Sequence, residues 1–224
     1  MSLATMNDLL VTELRDIYSA EQQLLKALPK LARSASSPSL AEALSSHIAQ
    51  TEEHVTRLEG IFEDLGGSPR GKRCAGMQGL LAESAEVLGE EGDPSVIDAA
   101  LIAAAQRVEH YGIAAYGSAH AFATLLGRTD IAAVLRQSLQ EEEDTDVMLT
   151  QIALREVNER ARAASADSDE EADAGADDET ADATAVATAS RFEEEIDEAL
   201  MDLEDAMDEE VIDEEEDRVR NRRL

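Results

Sequence analysis

Apolar residues recur every three or four positions along four long segments, the spacing that gathers them on one side of an α-helix. The first predicted helix runs from about Asp8 to Arg33, with Leu10, Leu14, Ile17, Leu24, Leu28 and Leu31 on one stripe and a kink expected at Pro29. Ser37-Pro38 supplies a turn, and a second helix follows from about Ser39 to Leu65 through Leu40, Leu44, Ile48, Val55, Leu58 and Phe62. It stops at Gly66-Gly67, because glycine adopts the left-handed conformation that ends a helix at little cost. Residues 66 to 95 form the one long connection and contain a short helical piece, GMQGLLAESAEVLGEE. The third long helix starts after Asp93-Pro94, an N-cap followed by a proline that needs no backbone donor. It continues through Leu101, Ile102, Ala105, Ile113 and Tyr116 to Leu126, and the fourth runs from about Thr129 to Arg160 through Val134, Leu135, Leu139, Leu149, Ile152 and Val157.

Short loop, long crossover, short loop predicts an all-α, ferritin-like four-helix bundle over residues 1–160, with the short helix inside the crossover. Each long helix, at 1.5 Å per residue, reaches roughly 40 to 50 Å, enough for the set to enclose a sizeable core. Past residue 160 the pattern breaks. Residues 161–190 are alanine, acids and small polar residues with little to bury, which predicts a disordered acidic linker. Residues 191–224 regain a narrow apolar stripe, Phe192, Ile196, Leu200, Leu203, Met207 and Val211, and predict an acidic amphipathic helix and tail.

Charge narrows the function. The formal net charge is −31, and residues 164 to 224 carry 25 acids against five bases, so about two-thirds of the excess lies in the tail. Such a surface repels phosphate backbones and excludes simple nucleic-acid binding. Lys26, Lys30 and Lys72 are the only lysines among 19 basic residues. An acidic, lysine-poor surface points to a halophilic cytosol, where salt screens the self-repulsion. The N-terminal MSLATMNDLLVTELRD has no basic start or apolar run and is not expected to act as a signal peptide. No segment is long and apolar enough for a membrane span. Cys74 is the single cysteine, so no intrachain disulfide forms, and a cytoplasmic location is expected.

The chemistry lies in what interrupts the apolar stripes. Glu21 falls on the Leu14–Leu28 face of the first helix. His47 and His54 lie seven apart on the second, with Gln50 and Thr51 between them. Glu109 aligns with Ile102, Ala105 and Ile113 on the third, and Glu142 and Asp146 interrupt the fourth. Glu21, Gln50, Glu109 and Glu142 sit near the midpoints of their helices, so a bundle brings them to one level. Unpaired buried acids cost several kcal/mol, about enough to be rare by chance, and acids meeting in a dry core need protons or cations. Divalent iron or manganese suits that donor set. Glu53 and Glu83 are further acids that stand near enough in sequence to contribute. Cys74 and Met77 read as packing, and Tyr111 and Tyr116 as core residues or neighbours of the site.

Five segments carry a resemblance: YSAEQQLLKALPKLA, HIAQTEEHVTRLEGIF, CAGMQGLLAE, AALIAAAQRVEHYGIAAYG and LQEEEDTDVMLTQIA. In this order they resemble the YciE/YciF ferritin-like family over about residues 5 to 158. The resemblance implies a ferritin-like fold, a homodimer rather than a large shell, a link to stress responses, and a di-iron or di-manganese centre. It also implies metal roles for Glu21, His47, His54, Glu109, Glu142 and Asp146, with ferroxidase- or peroxide-type oxidation as the activity. Gln50 stands where relatives usually carry an acid, and Gly112 where relatives read VEHYE. These two departures predict a site that holds metal weakly or holds one ion. The alternative they favour is a metal-free structural or stress-protective bundle.

Overall fold

The computed structural model describes residues 3–172, with side chains as far as residue 165. Its elements are α1 (Met6–Ser34), α2 (Pro38–Leu65), α3 (Ala75–Gly89), α4 (Pro94–Leu125), α5 (Thr129–Ile152), a π-helical turn (Ala153–Val157) and α6 (Asn158–Ala172). Three of the long helices start at a side-chain cap. Thr5 and Asp8 form a reciprocal capping box on α1, Ser37 caps α2 ahead of Pro38, and Asp93 caps α4 ahead of Pro94. Gly66 closes α2 at φ 67°, where a side chain would be strained. Pro29 lies inside α1, which continues to Ser34.

Four helices form a square. α1 packs on α2, α2 on α5, α5 on α4, and α4 on α1, while α3 crosses α1 and α4. Two apolar clusters fill opposite ends. One gathers Leu24, Leu28, Leu44, Leu101, Ile102, Val108 and Leu149, and the other Leu14, Ile17, Val55, Leu58, Tyr116, Leu135 and Leu139. Along the chain α1 and α5 pass from the second cluster to the first, whereas α2 and α4 pass the other way. Every packed pair in the square is therefore antiparallel, and the long crossover lets α2 and α4 run in the same direction. The level between the clusters is where the buried polar residues lie.

The expected fourth helix is interrupted. The π turn at Ala153–Val157 offsets the register of α6, which packs on α4 and runs on to Ala172, past the boundary expected at residue 160. At the turn Glu156 accepts hydrogen bonds from the Ser37 and Ser39 hydroxyls, both at 2.9 Å, and Val157 is buried. The rest of the expected linker and the 191–224 helix lie outside the described residues. Among the described residues no helix is long and apolar enough to cross a membrane.

Two polar locks fix the frame. Asp98, buried on α4, accepts from the Ser36 and Ser37 backbone N–H groups at 2.8 and 2.7 Å and from the Ser36 hydroxyl at 2.6 Å. It holds the α1–α2 turn against α4. Replacing Asp98 by alanine strands the buried Ser37 N–H and should cost about 2–4 kcal/mol, read as a lower denaturant midpoint with an unchanged slope. The second lock joins the crossover to the bundle. The Tyr111 hydroxyl donates to Asp16 and lies 2.8 Å from Cys74 Sγ, while Lys72 Nζ reaches Asp16 at 2.9 Å. Cys74 is buried and its sulfur accepts from the Met77 N–H at the start of α3, a packing and capping role.

Candidate metal centre

His47 and His54 are two helical turns apart, so both face inward from α2 at the level where Glu21 (α1), Glu109 (α4) and Glu142 (α5) converge. All five are buried. Their donor atoms fall into two groups, Glu21–His54–Glu142 and His47–Glu109–Glu142, each with its donor atoms within 4.8 Å of one another. Glu142 belongs to both. His54 Nδ1 lies 3.2 Å from Glu21 Oε1 and 3.1 Å from Glu142 Oε1, and His47 Nε2 lies 3.3 Å from Glu109 Oε1. The two imidazoles thus present opposite ring nitrogens to the same level.

Each ring is fixed from behind by its other nitrogen. His47 Nδ1 sits 3.3 Å from Gln50 Oε1, an oxygen that Thr145 also approaches at 3.3 Å. Gln50 accepts from Nδ1–H and leaves the Nε2 lone pair facing Glu109. His54 Nε2 sits 2.9 Å from Glu141 Oε2. Glu141 is in turn gripped by Arg57 through both of its oxygens, at 2.6 and 3.0 Å. Burial works against ionisation of Glu141, but hydrogen bonds from Arg57, Gln137 and His54 hold its carboxyl down at about 2. Tyr116 closes the site below. Its hydroxyl donates to Glu21 Oε1 at 2.6 Å and its ring meets the His54 ring edge-on, with centroids 5.5 Å apart.

Electrostatics report the crowding of acids. Burial, together with the charges of Glu142, Glu21 and Asp146, pushes the Glu109 carboxyl well above the ordinary range. Burial pulls His54 toward neutrality, but hydrogen bonds to the Glu142 and Glu21 carboxylates outweigh it and hold the ring up at about 10. Burial and the Glu21 and Glu142 charges push the Tyr116 hydroxyl well up. Without metal, the proton on His54 offsets part of the acids' charge.

Buried polar atoms are almost always paired, and exceptions ask for a reason. Four buried side-chain atoms among the described residues lack a hydrogen-bond partner, and three of them, His47 Nε2, Glu109 Oε2 and Glu142 Oε1, belong to the two donor groups. All three are lone-pair donors in the ligand-ready state. Carboxylate and imidazole are the donors that iron and manganese accept, so the residues present fit such ions.

The sequence-predicted residues divide. Glu21, His47, His54, Glu109 and Glu142 come together. Gln50 stands behind His47, its Oε1 on the ring nitrogen away from Glu109. Asp146 is drawn outward, accepting from Gln106 Nε2 at 3.0 Å and lying 3.4 Å from His110 Nε2. Its shorter side chain, one turn beyond Glu142, meets α4 before it reaches the centre. Glu53 and Glu83 are exposed. Sequence reasoning missed Glu141 and Arg57. The acids Glu141, Glu142 and Glu143 are consecutive, and only the rotation of α5 decides which faces His54.

An antiparallel four-helix square with one crossover and carboxylates facing two histidines at mid-height defines a ferritin-like helical bundle whose core groups could hold a metal ion. The chain belongs to the family described as domain of unknown function DUF892, which matches residues 5–162. It is 40% identical to protein YciF of Escherichia coli strain K12 over 162 residues, covering 72% of this chain and 98% of that one. The crystal structure of the E. coli stress protein YciF superposes with a TM-score of 0.67 at 40% identity, over 70% of this chain and 99% of that chain. YcfI of Rhodopseudomonas palustris, described as a candidate structural protein, superposes at 0.65 with 44% identity, over 66% of this chain and 95% of its own.

Proposed function

We propose that this bundle binds a pair of iron or manganese ions through Glu21, His54, His47 and Glu109, with Glu142 shared between them, and that the loaded centre carries out ferroxidase- or peroxide-type oxidation in a stress response. The observation that carries this reading is that three of the four buried side-chain polar atoms without a hydrogen-bond partner among the described residues, His47 Nε2, Glu109 Oε2 and Glu142 Oε1, belong to the two donor groups. Two of them have only charge contacts, Glu142 Oε1 with His54 Nδ1 at 3.1 Å and His47 Nε2 with Glu109 Oε1 at 3.3 Å, and a bound cation would satisfy all three. The stress link rests on the likeness to YciF, a stress protein of E. coli.

The bound metal supplies electrons to dioxygen or peroxide. The chain's residues set the conditions. Arg57 and Glu141 fix His54, Gln50 and Thr145 fix His47, and the apolar clusters above and below keep bulk water out. Three protein donors per ion leave positions open for an oxidant. The high acidity supports a halophilic cytoplasmic setting as part of this reading. Anaerobic loading with Fe(II) followed by oxygen should give protein-dependent oxygen uptake well above that of Fe(II) in buffer. Equal rates would remove the oxidase reading.

A second reading is a metal-free structural bundle. It draws on His54, which as a cation already sits between Glu21 and Glu142, and on the description of YcfI. It requires a melting temperature indifferent to manganese, whereas the metal reading requires a rise.

A further inference from the structure

Gly112 lies three residues after Glu109 on the inner side of α4, in the middle of a helix where glycine costs about 1 kcal/mol relative to alanine. Its backbone gives no reason for glycine, since the left-handed glycines of the described chain are Gly66, Gly71 and Gly127. Space gives one. A Cβ at Gly112 would collide with Glu142 Oε2, would lie 2.9 Å from Glu142 Cδ and 3.4 Å from its Cγ, and these are the three nearest atoms it would meet. Gly117, on the same helix, differs: a Cβ there meets Leu139 Cδ2 at 4.0 Å, an ordinary contact.

We propose that Gly112 sets the number of metal ions the site holds, by leaving the space in which the Glu142 carboxylate can serve both donor groups. This inference rests on the metal-binding reading above. Glu142 is the one side chain common to the two groups. The atoms that a Cβ displaces are the far end of a flexible side chain, so the helix keeps its place and the carboxylate moves. What remains is a Glu21–His54 pair and a His47–Glu109 pair with no common acid. Two protein donors hold a divalent ion poorly, and at most one ion stays.

The test compares wild type, G112A and G117A after equilibrium dialysis against manganese(II), with metal counted per chain and metal-free melting temperatures recorded. The expected result is about two ions in wild type and in G117A, at most one in G112A, and metal-free G112A melting no lower than wild type. G112A binding two ions as tightly as wild type overturns the inference and leaves the metal reading standing. G112A melting well below wild type without metal also overturns it, because the collision would then fall on the backbone. Wild type that takes up no manganese overturns the metal reading itself, and the inference with it.

Discussion

Replacing Glu21 and Glu109 together by alanine should abolish metal binding while leaving the bundle folded. Together the substitutions remove one acid from each donor group, leaving His54 and Glu142 on one side and His47 and Glu142 on the other, with one carboxylate for two ions. Without metal, Glu109 is a buried acid with an unpartnered oxygen, crowded by Glu142 and Glu21, so its removal should not lower the melting temperature, whereas removal of Glu21 leaves the buried Tyr116 hydroxyl without its acceptor and should cost about 1–3 kcal/mol. With metal at a hundred times its dissociation constant, wild type should gain about 2.7 kcal/mol that the double variant lacks. Paired melting curves with and without manganese, alongside elemental analysis, read both. Unchanged metal content in the double variant removes these residues from the ligand set.

Loading metal at neutral pH should release protons, about one per chain from His54. The metal-free centre holds a proton on His54, raised to about 10 by Glu142 and Glu21 against the pull of burial, and burial and acidic neighbours raise Glu109 above its ordinary range as well. A ligand must give up the proton on its donor atom to bind. Because His54 is protonated at neutral pH in the metal-free state, the apparent affinity should climb as pH rises toward about 10, the value His54 holds. For the metal-free fold the sign is the reverse. The His54 contribution is fully present below pH 6.5 and is lost as pH rises through about 10, so metal-free protein weakens in the range where metal binding tightens. Manganese titration in lightly buffered solution with a pH indicator measures the release. Uptake of metal with no proton release would mean that the ions bind elsewhere, on the acidic surface.

Much of the architecture was legible in the residue pattern because four strong apolar periodicities, two of them closed by glycine or opened by a capped proline, leave few ways to fold. The level at which buried polar residues gather was legible too, since Glu21, Gln50, Glu109 and Glu142 stand near helix midpoints in the residue pattern. What the pattern could not supply was rotation and reach. Gln50 and His47 share a helical face, and only the atoms show that Gln50 turns to the imidazole. Asp146 and Glu142 are one turn apart, and a single methylene separates the one that meets α4 from the one that reaches the centre. Gly112 read as a lost ligand, whereas in space it is the room that Glu142 fills. A missing side chain says nothing in sequence about what takes its place. The π turn at Ala153–Val157 leaves no trace in apolar spacing either, and the partners its Glu156 engages, Ser37 and Ser39, lie more than a hundred residues away in the chain.

The central claim is that the core of this bundle is a two-ion carboxylate centre. Elemental analysis of the full chain, purified in high salt without chelators or a polyhistidine tag, tests it most directly. About two iron or manganese ions per chain are predicted, matching the two donor groups that share Glu142. A count of zero that persists after anaerobic loading with Fe(II) would contradict it.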